Sequence, residues 1–288
     1  NITSTGTGIS VANCSAGTVN FNNPAINLNT GTSAAVTLNT NTGSTINFTP
    51  SAGNGLDIVT TSGAGFNATG GATAINVTGS GNTITSTTGT ALNVVSTTIG
   101  AGNLNFQSIS SNGSPSGIIL NNTGTNGGLT VTGTGAANSG GTIQNTTGSG
   151  ILATNTANLS ITRMLISAPG NNGIEANGIS GTCLLNNSTI TAFNFANGNG
   201  LDILNNSVNL TEFRIQTCTF SNSPTGNAGV SIETSGTTNA TLIVEMNSLF
   251  TGLFGDGFQA ITTTGSSGTI NVTVKNSTFN NGALLGNG

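Results

Sequence analysis

Apolar residues in this chain come in short alternating runs, not at helical spacing. "AINV" at Ala74, "ALNVV" at Ala91, "LTVTG" at Leu129, "TINFT" at Thr45 and "TINVTVK" at Thr269 each place Ile, Val, Leu or Phe at every second position. Clusters of Gly, Asn and Ser separate the runs. A period of two with β-branched residues predicts strands, and the punctuation predicts turns. The longest stretch without Gly or Pro runs from Ile151 to Ala168. Asn and Thr are too dense there for an amphipathic helix, although "ITRMLIS" is its most helix-like part.

The runs recur. Entries of one type appear as "GTGISV" at Gly6, "GNGLDI" at Gly53, "GATAINV" at Gly71, "GTALNV" at Gly89, "SGIIL" at Ser116 and "GSGILA" at Gly148. They continue as "NNGIEA" at Asn171, "GNGLDI" at Gly198, "NAGVSI" at Asn227 and "GDGFQAI" at Gly255. Their first apolar residues form a ladder: Leu56, Ile75, Leu92, Ile118, Ile151, Ile174, Leu201, Val230 and Phe258, in steps of 19, 17, 26, 33, 23, 27, 29 and 28. A second ladder, "NNSTI", "QTCTF", "MNSLF" and "KNSTF", ends at Ile190, Phe220, Phe250 and Phe279, in steps of 30, 30 and 29. Repeats of 20 to 50 residues mark stacked supersecondary units.

Each repeat returns in the same direction, which lays every strand parallel on its predecessor. The fold class expected is therefore all-β, a parallel β-helix (β-solenoid) of about 11 coils at about 4.8 Å each, a rod on the order of 50 Å long. One continuous unit over 1–288 is expected, with shorter two-strand coils over roughly 1–100 and longer coils over roughly 101–288. "SSNGSPSG" from Ser110 and "GTGAANSGG" from Gly133 are the expected protrusions. Phe220, Phe250 and Phe279 are expected to pack as an aromatic ladder in the core.

Composition sharpens this picture. Three basic and seven acidic residues among 288, with no His, Trp or Tyr, make 3% charge, against about 25% in ordinary domains. Stacked coils explain the shortage, because a charge repeated along a row repels itself while Asn and Thr bond along the stack. Gly, and Asn after it, suit corners that need positive φ. Arg163, Arg214 and Lys275 form no basic stripe, so nucleic acid is not an expected partner. No apolar run approaches the roughly 20 residues of a membrane-spanning helix, so no membrane insertion is expected. Cys14, Cys183 and Cys218 lack metal-site spacing and read as small buried hydrophobes, with a Cys183–Cys218 disulfide left open.

On the "NGLDI…NNSTI" and "NGIEA…" coils and the Asn, Thr and Gly richness, the chain resembles the right-handed parallel β-helix repeat proteins of bacterial surfaces, such as autotransporter passengers and secreted adhesins. The resemblance covers essentially the whole chain. It implies right-handed winding, an extracellular or cell-surface location, and a role as stalk, adhesin or scaffold. A minority of that group are polysaccharide lyases or hydrolases.

Candidate chemistry is sparse. Glu175 and Asp202 follow equivalent ladder residues, so they share one row on adjacent coils. Two stacked carboxylates near about 5 Å could serve as an acid and nucleophile or as part of a calcium site, and one is expected to have a raised pKa. Ser231 and Gln259 continue the row, and no His or Tyr assists. No catalytic residue, metal site or cofactor is therefore expected. Arg214, Glu245 and Lys275 fall on successive coils as a small ion cluster. The sequons at Asn47 and Asn271 carry no assigned role.

Three functions follow for comparison: an adhesive or structural rod without catalysis, a pectin-lyase-like enzyme, and an ice-binding surface. "TNTGST" and "TSTTGT" supply threonines for the last, but irregular coil lengths oppose a lattice match. Both ends read as uncapped, so the expected partners are another copy end to end or flanking coils of a longer chain, with a host surface or glycan as a further one.

Overall fold

The computed structural model describes residues 1–51, 55–193 and 195–280, apart from the side chains of 72 and 73; the closing "NGALLGNG" and the first two residues of the "GNGLDI" at Gly53 lie outside them. Among the described residues there is no helix, and 29 strands wind as a parallel β-solenoid. Each turn carries three strands and thus three faces. The third face is an 11-stranded ladder from Ile2–Ser4 to Thr278–Asn280. The first and second faces fuse into an 18-stranded sheet, because Val36–Phe48 and Phe66–Val77 run unbroken across both. Ten full turns result, close to the expected 11, and every assigned strand pairing is parallel. "ITRMLIS" lies in two of these strands, Ser160–Thr162 and Met164–Ser167.

On the first face Leu92, Ile118, Ile151, Ile174, Leu201, Val230 and Phe258 stand over one another as expected. Below Leu92 the column continues through Phe66, Val36 and Ile9. Leu56 belongs instead to the third face, against Ile26, and Ile75 to the second, against Ile46 and Ile99. The steps of 19 and 17 therefore compared different faces, and the turns there hold three strands and 26 to 30 residues like the rest. Almost every column residue beneath the last turn is fully buried.

The glycine that opens each ladder motif has a steric cause. A Cβ on Gly173 would lie 2.4 Å from the carbonyl oxygen of Gly200 and 2.4 Å from the Ile190 side chain. Gly150, Gly200, Gly229 and Gly257 are closed in the same way by the next carbonyl or by the side chain of the third-face column. Corners add a second demand. Among the described residues, eighteen non-glycine residues have positive φ and 11 of them are Asn, which accounts for 11 of the chain's 45 Asn, since Asn tolerates this region best after Gly. At the corner between the first and second faces, Asn13, Thr40, Gly70, Ser96, Asn122, Asn155 and Gly178 repeat that conformation turn after turn.

The interior is not wholly apolar. The third face has two inward columns. In one, Thr60, Ser86 and Ser111 are buried hydroxyls that give way to Ile143, Ile166, Ile190 and then Phe220, Phe250 and Phe279. In the other, Ile58, Ile84 and Ile109 lead through Gly141 and Met164 to buried Ser188, Cys218 and Ser248. Apolar and hydroxyl columns thus exchange places at Gly141, whose φ of +106° and 2.1 Å Cβ approach to the Ile109 carbonyl oxygen admit no side chain. The hydroxyls are bonded locally: Thr60 donates to Ser86 at 2.9 Å, and Ser111 donates to Gly89 O at 3.1 Å.

Thr234 is the exception. Among the buried side-chain polar atoms of the described residues, its Oγ1 alone lacks a hydrogen-bond partner. An unsatisfied buried hydroxyl costs about 1–3 kcal/mol, so Thr234→Val is expected to raise the denaturation midpoint rather than lower it. Chemical denaturation of the two proteins checks this.

Outside, amides stack as the composition requires. Asn76 donates to Asn47 and Asn47 to Asn20, each at 2.8 Å, and Asn93 donates to Asn67 at 2.7 Å. Of the two expected protrusions, residues 134–138 are exposed. "SSNGSPSG" is not a protrusion, because Ser111, Ser114 and Ser116 are buried in the corner and Ser111 bonds Ser114 at 2.7 Å.

Candidate functional site

Glu175 and Asp202 are direct partners on adjacent first-face strands, as their ladder positions require, with Ser231 and Gln259 next in the row. Strand alternation points both outward, since Ile174 and Ala176, Leu201 and Ile203 face the core. The preceding corners supply four of their donors, and Asn177 on the Glu175 strand supplies the fifth. Ser149 Oγ donates to Glu175 Oε2 at 2.7 Å, and Asn171 and Asn177 donate at 3.4 and 3.1 Å. Asp202 receives Asn199 Nδ2 at 2.9 Å and Asn172 Nδ2 at 3.4 Å.

The amides are oriented by the backbone. Asn172 Oδ1 accepts the Asn199 N–H at 2.7 Å, and Asn199 Oδ1 accepts the Ala228 N–H at 2.9 Å. With each oxygen so occupied, the NH2 end turns to the carboxylate. Five neutral donors therefore hold two stacked negative charges.

Burial raises the Asp202 pKa, opposed by the Asn199 hydrogen bond and reinforced by the charges of Glu175 and Glu233. Glu233 lies one turn on, in the neighbouring outward row opposite Leu204. A raised carboxylate pKa means that the folded state binds the proton more tightly than the unfolded state. The stability gained is present below the unfolded pKa and is lost as pH rises through the folded one. Asp202→Asn is accordingly expected to melt higher than the parent at pH 7, with the gap closing below about pH 4. Melting curves across that range check it.

Arg214, Glu245 and Lys275 meet on the second face as expected, and Glu212 joins them. Arg214 contacts Glu212 at 2.9 Å and Glu245 at 2.6 Å, and Lys275 contacts Glu245 at 2.8 Å. Sequence reading missed Glu212, although its place two residues before Arg214 on one strand puts both on the same face. Lys275, then Gln216 and Arg214, hold the Glu245 pKa down to about 2. Its sign is opposite to that of Asp202, with stabilisation lost as pH falls from the unfolded carboxylate value towards 2.

Cys183 and Cys218 are separate buried thiols, not a disulfide, and burial pushes them up to about 11 and about 12. Cys14 is a partly exposed free thiol. Among the described residues no three His, Cys, Asp or Glu side chains converge on a point that could hold a metal. Corner clefts occur among the described residues. One of about 240 Å³ is lined by Ser80, Asn105, Gln107 and Thr132, and another of about 200 Å³ by Thr125, Asn155, Ser180 and Val208. Neither includes Glu175 or Asp202, whose row is partly buried, with Ser231 beside Asp202 only 5% exposed. No protein-family model, curated protein or solved structure matches the chain.

Proposed function

We propose that this chain is a structural or adhesive rod that works outside the cell or on its surface and carries out no catalysis. The observation that carries the reading is the largely neutral, self-bonded exterior over ten in-register turns, with the stacked carboxylates held by amides and a serine of their own corners and strands. A stack whose turns touch only their neighbours transmits length and stiffness, the properties of a stalk.

Its partners are further coils, from a second copy or a longer chain, with a host surface or glycan on the flanks. Val272, Val274 and Phe279 in the last described turn are 38%, 44% and 45% exposed, whereas their column neighbours Leu242, Val244 and Phe250 are fully buried. Among the described residues no strand pairs with the outer edge of this turn, and an apolar column with such an edge accepts another coil.

Negative-stain imaging with analytical ultracentrifugation tests the reading. Rods about 50 Å long, or multiples of that length joined end to end, are the expected particles. Globular particles would overturn it, and so would turnover of acidic or neutral glycans that is lost in Glu175→Gln and Asp202→Asn.

A further inference from the structure

We propose that the outer surface of the third face binds ice. This goes beyond the rod reading and rests on a different surface from the carboxylate row. From Thr85 to Asn280 the face presents two outward columns over eight consecutive turns. One runs through Thr142, Thr189 and Thr219, the other through Ser167, Thr191 and Thr251. Of these 16 positions, 11 carry a hydroxyl, three an amide and two are leucine, and none is charged; one of the hydroxyls, that of Ser221, is buried and donates to Thr191 at 3.2 Å. The chain's charged side chains lie on other faces, at corners, or below this array at Asp57.

The threonine motifs that raise an ice-binding reading from sequence supply only the lowest turn of this surface. "TNTGST" falls within Val36–Phe48, across the corner between the first two faces, and "TSTTGT" contributes only its first residues to the third face. The objection from irregular coil length also falls. Turns vary from 23 to 33 residues, yet the third-face strands keep one register across these eight turns, because the extra residues sit in the corners.

What such a face can hold follows from its chemistry. Fixed strand geometry spaces hydroxyls about 4.8 Å apart between turns and about 6.7 Å apart across the two columns. Each hydroxyl both donates and accepts, as water does, and each threonine adds a methyl. Behind the array, Phe220, Phe250 and Phe279 stack with ring planes 3° apart, one ring beneath each of the last three turns. A nucleic acid would need cations, and protein interfaces favour aromatic residues and Arg; the array has none of these. A neutral, flat, periodic lattice of water is the complementary partner. Leu165 and Leu249 interrupt the first column, so the contact centres on Thr189 and Thr219.

Thermal hysteresis and ice-recrystallisation inhibition by the purified chain test the proposal. The parent protein is expected to show both. The double variants Thr189→Tyr/Thr219→Tyr and Thr189→Val/Thr219→Val should lose at least half of the hysteresis with unchanged circular dichroism, and Thr130→Tyr on the second face should keep it. No hysteresis in the parent, or full activity in folded face variants, would overturn it; rods seen by imaging would still stand.

Discussion

Replacing Phe250 by alanine is expected to destabilise the protein by about 3–5 kcal/mol, the range for truncating a fully buried aromatic side chain. Phe250 is 0% exposed. Its ring lies between Phe220, centroids 4.9 Å apart, and Phe279, 4.5 Å apart, both within 3° of parallel. Truncation therefore removes two ring contacts and opens a cavity that neither neighbour can fill, because each ring is held on its own strand in register. Denaturant unfolding followed by circular dichroism measures the loss. In a solenoid each turn contacts only the next, so the loss should be concentrated in the C-terminal turns. Amide exchange in Leu210–Gln216 and Ala240–Glu245 should accelerate more than in Leu92–Val95.

Gly200→Ala is the second large effect. The added methyl would stand 2.5 Å from the carbonyl oxygen of Gly229 and 2.6 Å from Cδ1 of Phe220. The first neighbour is backbone inside a ladder and the second is a ring locked in a stack, so neither can yield cheaply. Overpacking of this kind costs about 1–3 kcal/mol, and the expected result is at the upper end. Gly6→Ala is the matched control: its Cβ would meet nothing within 4 Å, and unchanged stability is expected. Equal midpoints for Gly200→Ala and Gly6→Ala would contradict the packing described for the ladder glycines.

Why the fold was legible in the sequence, and the face assignment only in part, comes down to locality. Period-two runs bounded by Gly and Asn report strands directly, and the C-terminal repeats are regular enough to show parallel stacking. The three faces, however, share one local pattern. "GNGLDI" occurs twice, yet Leu56–Asp57–Ile58 lies on the third face and Leu201–Asp202–Ile203 on the first. Only the position within a turn distinguishes them, and that is fixed by strands such as Val36–Phe48 that cross a corner without a Gly or Pro signal strong enough to show it. The buried serines and threonines were hidden for a related reason. A hydroxyl at an inward position reads as surface until a corner carbonyl such as Gly89 O is seen to accept from it.

The carboxylate row was visible because Glu175 and Asp202 follow matching ladder residues in adjacent repeats. Its donors were less visible. Asn171, Asn172 and Asn199 precede the strands in corners where Asn is common, and nothing in the spacing says which amide turns inward. Glu212 was missed because its partner Arg214 was matched to residues on other turns and not to its own strand.

The central claim is that like positions stand directly over one another, one turn apart, along the whole chain. Nitroxide labels at Thr85 and Thr278, in a chain whose three native cysteines are replaced, test it by pulsed electron resonance. Seven turns separate these sites on the third face. The account predicts one narrow distribution centred near 34 Å, allowing for the label arms. A broad distribution, or a centre more than about two turns away from that distance, would contradict it.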